Sequence, residues 1–136
     1  MSKRRIAIFT GNRAEYGLQF PILRAVDRHP ELDYLLLVSG AHLDTNFGRT
    51  LDEIRADGFH IDAEVKIEMD ARSLFATAQA IGSGVLSISR VLAELKPDLI
   101  VSRHVLEHLT NPLGFLQTIN FAASTLSVPV RMYFEV

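Results

Sequence analysis

The chain has 136 residues, of which 22% are charged, and a net charge of -2. That length suits one domain with a real core, and the charge balance argues against a nucleic-acid partner, which needs clustered basic surface. Cysteine is absent, excluding disulfides and thiolate chemistry and fitting a cytoplasmic protein; no run of about 18 apolar residues exists, so no membrane span is expected.

Ile6-Ala7-Ile8-Phe9, closing on Gly11-Asn12, predicts a buried parallel strand that breaks into a loop. Ile22, Leu23, Ala25 and Val26 then recur at helical spacing and predict a helix to about Arg28, with Pro21 in a first turn or at a kink. Tyr34 to Val38, closed by Ser39-Gly40, predicts a second strand covered on both faces. A short helix is expected over 48–57, with Gly58 at its end. Residues 59–67 interleave acidic and apolar side chains, as an edge strand with one wet face would; Asp62, Glu64, Glu68 and Asp70 then form a solvated edge and no metal site.

Residues 73–95 carry a long amphipathic pattern through Leu74, Ala78, Ile81, Val85, Ile88, Val91, Leu92 and Leu95, with a bend expected at Gly82-Ser83-Gly84. Lys96-Pro97-Asp98 punctuates before a fourth strand over 99–101, which a helix over 112–123 and a fifth strand over 130–136 follow. The alternation predicts an α/β fold, a parallel sheet with helices on both faces and right-handed crossovers.

In such a sheet, ligands bind beyond the carboxyl ends of the strands. The loop after the first strand, Gly11-Asn12-Arg13-Ala14-Glu15-Tyr16-Gly17, offers backbone N–H groups near a helix start and a guanidinium able to fork onto phosphate oxygens, so it could hold a diphosphate. It is neither a dinucleotide fingerprint nor a P-loop, and no cofactor is expected. A tight turn in which Arg13 bridges to a surface carboxylate reads equally well. The second loop places His42 and Asp44 at the mouth of strand two, where His42 could bond a ligand oxygen or simply cap a turn. Tyr16 and Phe20 are read as core.

These features resemble one family over residues 4–101. Arg5-Ile6-Ala7, Thr10 to Gly17, Val38-Ser39-Gly40-Ala41-His42-Leu43, Phe47-Gly48-Arg49-Thr50, Glu53-Ile54, Asp57-Gly58-Phe59 and Lys96-Pro97-Asp98 are similar, in order, to the hydrolysing UDP-N-acetylglucosamine 2-epimerases, in the branch that feeds sialic acid and nonulosonate synthesis. The resemblance implies a Rossmann-like half of a GT-B type fold. It also implies elimination of UDP from the nucleotide sugar, followed by hydration to N-acetylmannosamine. Arg13, Ala14, Glu15 and Gly17 match positions that meet the nucleotide, and His42 matches one near the substrate; no catalytic residue is assigned.

After Val101 the family continues with Gly-Asp-Arg, whereas this chain reads Ser102-Arg103-His104. The isolated chain is therefore expected to bind a UDP-sugar at most, with a C-terminal domain supplied by another chain or a homodimer as its partners; the alternative is a non-catalytic fragment or assembly module. From Asp98 to Val136 the sequence resembles the later half of a class I S-adenosylmethionine-dependent methyltransferase, without that family's glycine-rich loop. The expected division is 1–101 and 102–136, the tail completing the same sheet. His104-Val105-Leu106-Glu107-His108 also spells a zinc-peptidase pattern, but it lacks a downstream third ligand and is read as a short helix with no metal.

Overall fold

The computed structural model describes residues 2–48, 50–67, 72–103 and 131–135, together with Leu113 and Gln117. Its five strands are β1 (Arg4–Thr10), β2 (Leu32–Ser39), β3 (Ala63–Val65), β4 (Leu99–Arg103) and β5 (Arg131–Glu135). They form one sheet in the order β3-β2-β1-β4-β5, and every pairing is parallel. The expected fold class is therefore the observed one. Helices α1 (Arg13–Asp27), α2 (Thr50–Ala56) and α3 (Ala76–Leu95) connect these strands, and two 3-10 turns, Gly40–His42 and Thr45–Phe47, lie between β2 and α2.

The period-two alternation of β1 and β2 divides the core between the two faces of the sheet. Ile6 and Ile8 of β1 and Leu36 and Val38 of β2 join Tyr16, Leu23 and Val26 of α1, Ile54 of α2, and Phe59. Ala7, Leu35, Leu37 and Val65 face the other way, against Ile88, Val91, Leu92 and Leu95 of α3. Leu36 and Val38 are fully buried, as the continuous apolar run in β2 requires. Pro21 lies inside α1, neither ending it nor confined to its first turn.

Two aspartates align β3 and β4 on their neighbours by the same device. Asp62, one residue before β3, donates its N–H to the Leu36 carbonyl at 2.9 Å and accepts the Leu36 N–H on Oδ2 at 2.8 Å. Asp98, one residue before β4, exchanges the same two bonds with Arg5, each at 2.8 Å. Asp62 is therefore a half-buried structural acceptor and not part of a solvated edge; Glu64 is exposed, and Glu68 and Asp70 lie outside the described residues. Strand β3 itself has three residues, much shorter than the expected 59–67.

Helix α2 ends in a Schellman motif. Gly58, at φ 84°, donates to the Arg55 carbonyl, while Phe59 donates to that of Ile54 and packs in the same cluster. Helix α3 continues through Gly82-Ser83-Gly84. Only its C-terminal half packs on the sheet. Ile81 and Val85 are each 63% exposed and Leu74 is 98% exposed, contrary to the apolar stripe read from the sequence. Among the described residues, no helix is long and apolar enough to cross a membrane. The expected helix over 112–123 lies outside the described residues except for Leu113 and Gln117, both helical, and so does His104 to His108.

Candidate functional site

Strand β1 has β2 on one side and β4 on the other, so the chain changes direction across the sheet at β1, and its carboxyl end is the switch point at which open parallel sheets bind ligands. The loop there turns directly into α1. Asn12 is the N-cap, its side chain accepting from Glu15 N–H at 3.0 Å, and the Glu15 carboxylate reaches back to Gly11 N–H at 2.7 Å. This is a reciprocal cap of the Asn-x-x-Glu kind, displaced by one residue at its second bond. It engages two amides of the turn. The N–H groups of Arg13 and Ala14 have no acceptor among the described residues, and they lie where a helix start concentrates positive potential.

The loops after β1 and β2 are joined. Ala41 N–H donates to the Gly11 carbonyl at 2.9 Å. Gly40 lies against the same carbonyl at φ 55°, and a Cβ built there would stand 2.8 Å from Gly11 O. Only glycine fits the position, both for the left-handed backbone and for the close approach.

His42 lies beneath this junction, 2% exposed. Its Nε2 is 3.0 Å from Thr10 Oγ1 and its Nδ1 is 2.7 Å from Thr50 Oγ1, so both ring nitrogens are taken by threonine hydroxyls. The Tyr16 ring meets it edge-on at 6.3 Å. Burial pushes the imidazole pKa below its ordinary value, against the opposing pull of Glu15 and Glu53. The histidine for which the sequence left both a ligand contact and a turn cap open is bonded here to two threonines of the domain interior.

The remaining candidates sit on the rim. Arg13 is exposed and pairs through Nε with Glu53 Oε2 of α2 at 3.1 Å, which realises the surface-bridge alternative and leaves the rest of the guanidinium uncommitted by that contact. Ala14 and Gly17 are exposed, and Glu15 is half-buried by its bond to Gly11. Tyr16 is core, as expected, but its hydroxyl donates to Asp57 Oδ2 at 2.7 Å, and burial together with that carboxylate pushes the phenol well above its usual range. Arg24 binds the Asp57 carbonyl and lies 4.5 Å from the Phe59 ring centroid, closing α1 onto the end of α2.

Sequence reasoning missed Thr10, Thr50, Glu53 and Asp57. The Asn12-x-x-Glu15 spacing did carry a legible signal for the cap, whereas the threonines carry none, because their partner lies 32 residues away in one case and 8 in the other.

Residues 24–103 match the family described as UDP-N-acetylglucosamine 2-epimerase. A hydrolysing UDP-N,N'-diacetylbacillosamine 2-epimerase of Legionella pneumophila is 31% identical over 127 residues, covering 93% of this chain and 32% of the relative. A UDP-N-acetylglucosamine 2-epimerase of Neisseria meningitidis is 29% identical over 98 residues, covering 72% of this chain and 25% of the relative. A crystal structure of a UDP-N-acetylglucosamine 2-epimerase superposes with a TM-score of 0.64 at 17% identity, covering 96% of this chain and 33% of that one. The chain thus spans a third or less of the length of these proteins.

Proposed function

Because the chain belongs to the UDP-N-acetylglucosamine 2-epimerase family, we propose that it forms the N-terminal part of a hydrolysing nucleotide-sugar 2-epimerase and binds the diphosphate of a UDP-sugar at the turn from β1 into α1. The observation that carries this reading is the turn itself. Two helix-start amides, those of Arg13 and Ala14, stand beside an exposed guanidinium at the carboxyl edge of a parallel sheet. Arg13 and Ala14 supply the anion contacts. Glu15 and Gly17 shape the turn, and His42 supports it from below.

The Legionella relative is named for a diacetylated sugar, which makes UDP-N,N'-diacetylbacillosamine a second substrate to test beside UDP-N-acetylglucosamine. Turnover to the free 2-epimeric sugar and UDP would draw on groups of a further domain, in this chain's longer form or in a partner. Beyond Val101, Arg131–Glu135 extends the same sheet by pairing with β4 over five residues, which supports a tail that completes it. A methyltransferase remnant is the alternative for that segment. The exposed apolar first half of α3 supports self-association, which sedimentation over a concentration series tests.

The deciding experiment is an amide NMR titration of the chain with UDP, then with S-adenosylmethionine. Shifts at Gly11 to Gly17 with UDP that disappear in Arg13→Ala support the nucleotide site. A dispersed spectrum unmoved by UDP refutes it, and shifts caused only by S-adenosylmethionine transfer the function to the tail. With the chain in hand, release of UDP from each sugar tests turnover directly.

A further inference from the structure

A self-consistent proton order runs through the bonds around His42. Thr10 Oγ1 lies 3.3 Å from the Asn12 carbonyl, which can only accept, and in this order the Thr10 hydroxyl donates there. Thr10 Oγ1 then accepts from His42 Nε2, 3.0 Å away, and that nitrogen carries the ring proton. A neutral imidazole has only one N–H, which leaves Nδ1 as an acceptor filled by the Thr50 hydroxyl at 2.7 Å. The Asn12 carbonyl at the far end also accepts Tyr16 N–H at 3.0 Å, and Asn12 is the residue that caps α1.

We propose that Thr50, His42, Thr10 and Asn12 form a one-way hydrogen-bond relay that holds His42 in its Nε2–H tautomer and fixes the Gly11–Gly17 turn, with Thr10 and Thr50 as positioning residues. His42 serves the ligand without touching it. The relay crosses three elements, from the first turn of α2 through the 3-10 turn after β2 to the end of β1, so it ties the rim on which Arg13 and Glu53 pair to the strand that carries the loop. The charged and titratable groups facing the ring are Glu15 and Tyr16 from α1 and Glu53 from α2. Burial, the largest influence, lowers the imidazole pKa against the opposing pull of Glu15, the Asn12 backbone and Glu53, and so favours the neutral ring.

Only the last link, from turn geometry to ligand affinity, rests on the nucleotide reading above. The test is a long-range proton–nitrogen spectrum of the imidazoles in the 15N-labelled chain at neutral pH, with the His42 signals assigned by a His42→Gln variant. The expected result is a proton on Nε2 and a bare Nδ1. A proton on Nδ1, or on both nitrogens, overturns the relay, whatever any variant does.

For positioning, Thr10→Val is expected to move the amides of Asn12 to Gly17 and Thr10→Ser to restore them, with UDP binding at least about five-fold weaker in the valine variant and recovered in the serine one. Unmoved amides in Thr10→Val overturn the positioning role. If Thr10→Val does not fold, Thr50→Val against Thr50→Ser reads the same turn from the other end. Failure of the unaltered chain to bind UDP sinks the nucleotide reading alone, because the tautomer and the amide shifts judge the relay without any ligand.

Discussion

Replacing Gly40 by alanine tests how tightly the two loops are joined, and Gly58 supplies an internal control. Both glycines have left-handed backbones, at φ 55° and φ 84°, but a Cβ on Gly58 would meet nothing within 4 Å whereas one on Gly40 would sit 2.8 Å from the Gly11 carbonyl oxygen. The left-handed conformation costs an L-residue about 1–2 kcal/mol, offset by about 0.4–1 kcal/mol because alanine restricts the unfolded chain. Gly58→Ala should therefore lose about 1 kcal/mol. At Gly40 the obstacle is backbone, which must shift and give up the Ala41 N–H bond to the same oxygen. That bond is worth about 0.5–1.5 kcal/mol, so Gly40→Ala should lose about 1.5–2.5 kcal/mol in all. Urea denaturation of the three proteins at neutral pH measures both losses, with unchanged m-values confirming that stability alone has moved. Equal losses at the two glycines would refute the close-approach argument.

Acid should weaken the domain through His42. Its folded pKa lies below the ordinary 6.5, so the unfolded chain binds the proton more readily. The contribution of the neutral ring is complete above the unfolded value and falls away as pH drops below it towards the folded pKa. Thermal unfolding between neutral pH and mild acid should show a steeper loss in the parent than in His42→Gln, and parallel curves would contradict this. Asp62 acts in the opposite sense and at lower pH, its burial raising its pKa above 3.8.

Asp62→Ala should speed amide exchange at Leu36, and Asp98→Ala at Arg5, each leaving the other site unchanged; exchange that rises equally at both would mean global destabilisation instead. Arg13→Ala should alter stability by no more than about 0.5 kcal/mol, because its partner is an exposed surface pair, and a much larger loss in denaturation would show that the pair is structural.

The sheet was legible because Ile6 to Phe9 and Tyr34 to Val38 are continuous apolar runs bounded by turn residues, and burial on both faces is what such runs demand. Gly58 announced the end of α2 for the same local reason. What escaped was non-local. Nothing in the neighbourhood of Asp62 says that it would bond Leu36, 26 residues away, and the 73–95 stripe has the right period but packs on the sheet only through its C-terminal half. The site was half legible. Local chemistry pointed to the Gly11–Gly17 turn, but the role of His42 depended on two threonines that only the fold brings to it.

The central place of β1 also sets the closure costs of the sheet. Its contacts with β2 close a span of 28 residues, Arg4 to Leu32, whereas those with β4 close 93, Ile6 to Leu99. Chain closure over the longer span costs about 1 kcal/mol more entropy, so the β1–β2 pairing is the cheaper of the two to close, and the β1–β4 pairing bears the larger closure cost. The Asp98 bonds to Arg5 at the start of β4 are the contacts that align its arrival.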